Sequence, residues 1–181
     1  MGELDENINY QNLSDIASYQ KLVDSMAEQN SAQILPNAGP THAAIAMAKL
    51  FDKTSHIAKL VVASFSGFVC DQPNYIASLK NAIEKGVIFQ IIFLSQRNLQ
   101  SSAYQLLFEA QQKGKNITFK DATPKFVTFL TNGGKTQHFA TFDNNKFRYE
   151  NDTQSFVAFF SFNNIENASF LSNIFDSEFQ N

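Results

Sequence analysis

The sequence predicts an α/β fold in which a mixed sheet is flanked by helices, with βαβ units first and an antiparallel meander second. Three observations predict it. A strand-like run at 58–65 is followed by a helical pattern closing on Lys85-Gly86 and then by the most apolar stretch of the chain, 87–94; this is the order of a βαβ unit. After Pro124 the pattern changes to short runs broken by Asn132-Gly133-Gly134 and Asn144-Asn145, which reads as antiparallel strands on tight turns. The 181 residues are 44% hydrophobic, with 19 Phe and no Trp. That is enough apolar material for one core filled largely by phenylalanine.

The elements follow in order. Residues 1–30 are expected to form a polar segment, loose over 1–12, and an amphipathic helix. Leu13, Ile16, Tyr19, Val23 and Met26 fall on one face of that helix, which is expected to cover a sheet edge or join a dimer interface. Residues 31–181 are expected to form a single α/β domain. A short apolar run at 31–36 leads through Asn37-Ala38-Gly39-Pro40 into a helix whose buried side is Ala44, Ile45, Ala48 and Phe51. Leu60, Val61 and Val62 are contiguous, as in a strand covered on both faces. Asp71-Gln72-Pro73 opens a helix with Ile76, Leu79 and Ile83 inward, and Gly86 suits the left-handed position after it. A helix over 101–113 stops at Gly114, and 116–120 predicts a further parallel strand. Residues 125–130 and 137–142 predict two strands joined by a hairpin turn. The turn at Asn144-Asn145 leads into a strand over 146–150, and a last strand covers 155–162. Asn163-Asn164 caps a closing helix with Ala168, Leu171, Ile174, Phe175 and Phe179 inward.

Charge and cysteine content narrow the function classes. A net charge of −3 with a pI near 5.6 provides no general attraction to phosphate backbones, so nucleic acid is disfavoured as a partner while a local basic pocket stays open. The single cysteine, Cys70, leaves no pair for a disulfide, metal or redox centre and reads as a small core residue. No apolar run approaches the ~20 residues of a membrane span, no secretory signal is expected, and Met1-Gly2 is followed by Asp5 and Glu6 instead of a myristoylation pattern. The expectation is a cytoplasmic protein without a cofactor.

The candidate chemistry lies in the last third. His138 and the group Lys146, Arg148, Glu150, Asn151 and Asp152 are placed on two strands joined by a short turn. Period-two alternation puts His138 on one face with Ala140 and Phe142, and puts Arg148 and Glu150 together with Lys146 alongside. Arg148 is one of two arginines in the chain. It reads either as the ion-pair partner of Glu150 or as an anion clamp, its planar fork suiting phosphate or carboxylate. His42 and His56 border helix ends and read as surface residues; His42, near a helix start, has no carboxylate or histidine at metal-ligand spacing, so no metal site is predicted. Asn37-Ala38-Gly39-Pro40-Thr41 resembles a phosphate-cradling turn only loosely, with one glycine and no basic residue. Lys113-Gly114-Lys115 is a solvated helix end.

This order of elements resembles the phospholipase D-like superfamily over roughly residues 30–181. The resemblance is carried by the helix at 41–51, the strand Leu60-Val61-Val62-Ala63-Ser64-Phe65, and the helix-to-strand passage from Leu79 through Ala82, Lys85, Gly86 and Val87 to Ile92. The family's chemistry lies in a histidine with a lysine two residues on and an aspartate five beyond it, followed after a turn and strand by Gly-Ser-x-Asn. His138 matches the histidine. Ala140 stands at the lysine position and Asn145 at the aspartate position, with Asp143 two places early. Ser161-Phe162-Asn163 has the letters of the Ser/Asn element but directly precedes the closing helix, so Glu150-Asn151-Asp152 is expected to replace that turn.

In an intact family site the histidine attacks phosphorus while lysines and Ser/Asn donors stabilise the charged oxygens. The resemblance therefore implies a phospholipase D-like domain that has lost hydrolysis and serves as a binding or assembly module. Because intact members need two half-sites, it also implies a homodimer with His138 near the axis. A phosphate-containing ligand or a protein partner is expected, with the acidic N-terminal segment as one possible contact. The alternative is a divergent phosphodiesterase, a nuclease or phospholipid hydrolase, with His138 as nucleophile and Arg148 in place of lysine.

Overall fold

Asp15 opens the first helix by accepting a hydrogen bond from the Ser18 backbone N–H, so that α1 (Ile16–Glu28) begins at a side-chain cap. The computed structural model describes residues 15–65 and 67–180. The polar segment expected over 1–12, and Leu13 of the first helix, lie outside them. Tyr19, Val23 and Met26 of α1 are buried as their spacing predicts, whereas Ile16 is exposed.

The chain continues through β1 (Leu35–Asn37), α2 (Pro40–Asp52), β2 (Ile57–Val62), α3 (Gly67–Cys70), α4 (Pro73–Glu84), β3 (Ile88–Phe93), α5 (Ser102–Gln112) and β4 (Ile117–Asp121). Pro40 and Pro73 sit in the first turns of α2 and α4, where the missing N–H costs nothing. Gly86 and Gly114 follow α4 and α5 with φ of 87° and 80°, the left-handed geometry that stops a helix. The short α3 has no counterpart in the sequence expectation.

Residues 125–130 form a helix, α6 (Pro124–Phe129), and not the expected strand. Its β-branched and aromatic content suggested a strand, but local capping decides otherwise. Thr123 accepts from the Phe126 N–H, Pro124 occupies the first turn, and Phe126 and Leu130, one helical turn apart, are buried together. The hairpin at Gly133-Gly134 survives only as β5 (Thr131–Asn132) and β6 (Lys135–Thr136).

The meander is β7 (His138–Phe142), β8 (Lys146–Asp152) and β9 (Val157–Ser161), and α7 (Ile165–Phe179) closes the fold from an Asn164 cap. The turn between β7 and β8 has Asp143 and Asn144 in positive φ, one residue earlier than the expected Asn144-Asn145. The seven-stranded sheet runs β1-β9-β8-β7-β2-β3-β4, with β2, β3 and β4 parallel and the remaining pairs antiparallel.

Two apolar layers cover this sheet. One joins α1, α2, α4 and α5 to residues such as Leu60, Phe89, Ala140, Phe142 and Phe160; the other joins α6 and α7 to Val61, Ile92, Phe139 and Phe147. Adjacent residues of β2 and of β7 thus enter opposite layers, as strand alternation requires. Among the described residues no helix is long and apolar enough to cross a membrane.

Candidate functional site

A cavity of about 540 Å³ opens at the C-terminal end of β2. Its floor is apolar, with Leu60, Phe65, Val69, Tyr75 and Ala140, and one wall is polar, with His138, Glu150 and Arg148. The β7–β8 register builds that wall. His138 lies opposite Glu150 and Ala140 opposite Arg148, so all four side chains share one face.

Glu150 holds the wall together. Its Oε2 is 3.1 Å from His138 Nδ1, and its Oε1 accepts from Arg148 Nη2 at 3.0 Å. Arg148 also donates through Nε to Asn37 Oδ1 at 3.1 Å, and Asn37 donates to the Phe156 carbonyl at 2.8 Å. Burial works to raise the Glu150 pKa, but the His138 hydrogen bond and the charge and hydrogen bond of Arg148 outweigh it and hold the carboxyl below its usual range. An ionised carboxylate only accepts, so the proton of a neutral His138 ring sits on Nδ1 and Nε2 carries the lone pair.

Two nitrogens of the wall remain uncommitted. His138 Nε2 and Arg148 Nη1 form no hydrogen bond among the described residues. No fully buried side-chain nitrogen or oxygen there lacks a partner, so both atoms keep access to open space. For Arg148, whose side chain is only 9% exposed, that space is the cavity it lines.

The other expected site residues are dispersed. Lys146 shares the face but sits at the far end of β8, where it donates to Asp143 at 3.2 Å and Asn145 at 3.0 Å. Glu150-Asn151-Asp152 does not form a turn: β8 continues through Asp152, with a bulge between Glu150 and Asp152. Asn151 is exposed. Asp152 accepts from Lys135 Nζ at 2.8 Å, tying the β5–β6 hairpin to the turn after β8. Asp143, near the family's aspartate position in sequence, instead receives the backbone N–H groups of Ser55, His56 and Ile57.

Other expectations can be placed as well. His56 is exposed, but His42 is half-buried, stacked on Tyr19 with ring centroids 4.0 Å apart. Cys70 packs against the core and lines the cavity, and burial pushes its thiol up to about 12. Sequence reasoning missed Asn37, Lys135 and Tyr75 as parts of the site. Asn37 and Tyr75 reach it from distant segments, which no local pattern signals, whereas Lys135 lies three residues before His138 and is brought in by its contact with Asp152. A second hollow of about 540 Å³ lies at the ends of β3 and β4; there Arg97 bonds Asp121 at 2.9 Å and lies over the rings of Phe93 and Phe119.

No family model matches the sequence, and no curated protein matches it. Solved structures do match in shape. Nuc from Salmonella typhimurium, a phospholipase D family member, is 16% identical with a TM-score of 0.53, over 80% of this chain and 93% of that one. NucT from Helicobacter pylori is 13% identical with a TM-score of 0.53, over 82% and 96%. TrmBL2, an archaeal chromatin protein with a novel mode of DNA binding, is 10% identical with a TM-score of 0.56, over 95% of this chain and 63% of that one. Identities this low carry the fold and not the chemistry. The mixed seven-stranded sheet, its helical layers and these neighbours together give this chain the phospholipase D-like fold.

Proposed function

We propose that this chain is a phospholipase D-like binding or assembly module that has lost phosphodiester hydrolysis and works as a homodimer. The observation that carries the reading is the pairing of Arg148 with Glu150 at 3.0 Å beside Ala140. At the lysine position there is no cation, and the arginine next to it is already balanced by a carboxylate. Loss of one preorganised donor to a charged transition state costs on the order of 3–4 kcal/mol, and a carboxylate in the same wall repels an anionic substrate. Dimerisation rests on the family resemblance together with Phe68, which is 75% exposed at the cavity mouth against Phe156. A second copy would cover that ring.

One observation favours a second reading, a divergent phosphodiesterase. Glu150 orients His138 through Nδ1 and leaves Nε2 unbonded, the arrangement that an attacking imidazole requires.

The two readings separate on bis-p-nitrophenyl phosphate and single-stranded DNA, comparing wild type with His138→Ala. Equal background rates are expected. A rate in the wild type that disappears in the variant would establish the phosphodiesterase instead. Sedimentation at micromolar concentration tests the dimer, and a species at the 20.3 kDa chain mass would remove it.

A further inference from the structure

The two edges of the seven-stranded sheet are β1 and β4, and they are closed differently. An edge strand presents unpaired N–H and C=O groups that a further strand can join, and folds guard such edges with short strands, Pro or Lys. β1 is guarded. It has three residues, Pro36 at its centre has no N–H, and the Pro36 carbonyl accepts from the Tyr19 hydroxyl at 3.3 Å. β4 has five residues and no proline. Its one lysine, Lys120, is tied to the carbonyls of Glu178 and Phe179 at 2.7 and 3.4 Å. Among the described residues no strand pairs with its outer edge.

We infer that this edge is the docking surface for a second copy of the chain, whose own β4 adds antiparallel about a two-fold axis at Lys120. β2 and β3 lie between β4 and β7, so the contact is separate from the one proposed around His138.

The ladder fixes which groups are free. Phe89 N–H donates to the Asn116 carbonyl and Ala122 N–H to the Phe93 carbonyl. By alternation the even-numbered residues of β4 face β3, while Ile117, Phe119 and Asp121 face outward. Ile117 is already satisfied, its N–H by the Lys115 carbonyl and its own carbonyl by Gln111 Nε2, both at 2.8 Å. The N–H and C=O of Phe119 and Asp121 are left. With Phe119 opposite the partner's Asp121, and the reverse, these groups form two hydrogen bonds at each residue pair. No other two-fold register pairs all of them without calling on Ile117 or on Thr123, whose N–H is held by Glu178.

Charge selects this chain's own strand over an unrelated one. The Arg97 guanidinium lies 5.7 Å from the Phe119 ring centre, and both its bonds to Asp121 fall on Oδ1. The Asp121 side chain is 73% exposed. The register places the partner's Asp121 opposite Phe119 and thus beside Arg97, so each guanidinium meets two carboxylates and the signs balance across the axis. The two Lys120 residues oppose each other, but each ammonium rests on the carbonyls that end its own α7, whose partial negative charge offsets the repulsion. Phe119 is only half-buried, and a docked strand covers more of its ring.

The test is amide hydrogen exchange of the wild-type chain, followed by NMR. Between about 50 μM and about 1 mM protein, the Phe119 and Asp121 amides are expected to slow about threefold, as mass action requires of a dimer with a Kd near 100 μM. The Thr118 and Lys120 amides, bonded to β3, should not change. Concentration-independent exchange at Phe119 and Asp121 would overturn the inference. A dimer held only around His138 gives that result, so the two interfaces are tested apart. Cross-linking checks the register. Residues facing each other across the axis bring their Cα atoms to about 4.5 Å, within disulfide reach. Lys120→Cys is therefore expected to form an intermolecular disulfide on mild oxidation and Thr118→Cys is not, with wild type, whose one thiol is Cys70, as background. No excess of cross-linking in Lys120→Cys over Thr118→Cys would also overturn the inference.

Discussion

Arg148 stands directly opposite Ala140 on the β7–β8 ladder and is hydrogen-bonded to Glu150 two residues along its own strand. The cation lies where strand pairing brings it beside the family's lysine position, while its charge is satisfied from within β8. Stability and chemistry therefore meet in one buried pair, and both can be tested through it.

Glu150→Ala removes the partner of a buried guanidinium. Both side chains are less than a tenth exposed, and breaking such a pair from one side costs about 3–5 kcal/mol. A fall of that size in unfolding free energy by urea denaturation is expected. A change under about 1 kcal/mol would show that water reaches Arg148 freely.

Asp143 makes stability depend on acid. Burial alone would raise its pKa, but the N–H groups of Ser55, Ile57 and His56, with Lys146 nearby, outweigh burial and lower it. A carboxyl depressed in the folded state stabilises fully above its unfolded value, about 3.9, and that stabilisation is lost as pH falls through the folded value. The Glu150 shift has the same sign. Urea midpoints of the wild type should therefore fall below pH ~4, and Asp143→Asn should show a shallower decline. Parallel curves for the two proteins would contradict this assignment.

Lys59 and Asp176 form an asymmetric pair. Lys59 Nζ is 2.8 Å from both Asp176 oxygens and from Ser172 Oγ, with the lysine side chain 10% exposed and the aspartate 36%. Removing the more exposed partner strands a buried ammonium, so Asp176→Ala should cost about 3 kcal/mol. Lys59→Met leaves a carboxylate that water can still reach and should change stability by less than about 1 kcal/mol. Thermal denaturation of both variants checks the asymmetry, and equal losses would refute it.

Thr123 tests why residues 124–129 are helical. Its hydroxyl accepts from the Phe126 N–H and donates to Glu178 at 3.1 Å. Thr123→Ala should cost about 1–2 kcal/mol, while Thr123→Ser should retain most of the stability. Equal stabilities for the two variants would show that the cap is unimportant.

The sequence makes regular segments legible and long-range contacts illegible. The βαβ units could be read because Gly86, Gly114 and the apolar strands are local signals, and the adjacency of the β7 and β8 strands could be read because the turn between them is short; the pairing of His138 with Glu150 could not, because the turn lies one residue earlier than expected and sets the register. The helix at 124–129 is masked by Phe126-Val127-Thr128-Phe129, residue types that favour strands, although Thr123 and Pro124 announce a helix start. The site itself divided. Arg148 and Glu150 share a face from alternation alone. Asn37, 111 residues away in sequence, fixes Arg148 by tertiary packing that no local pattern encodes. Alternation places Lys146 on the same face too, but period-two placement gives a face and not a position along it, and Asp143 holds Lys146 at the opposite end.

The most direct measurement is titration of the wild-type chain with inorganic phosphate while following the His138 ring signals by NMR. If Glu150 cancels Arg148 and no lysine replaces Ala140, no saturable shift should appear up to about 1 mM phosphate, where a bound state would correspond to roughly −4 kcal/mol. Saturable binding at micromolar phosphate, centred on His138, would contradict the account and point to a site still built for phosphoryl groups.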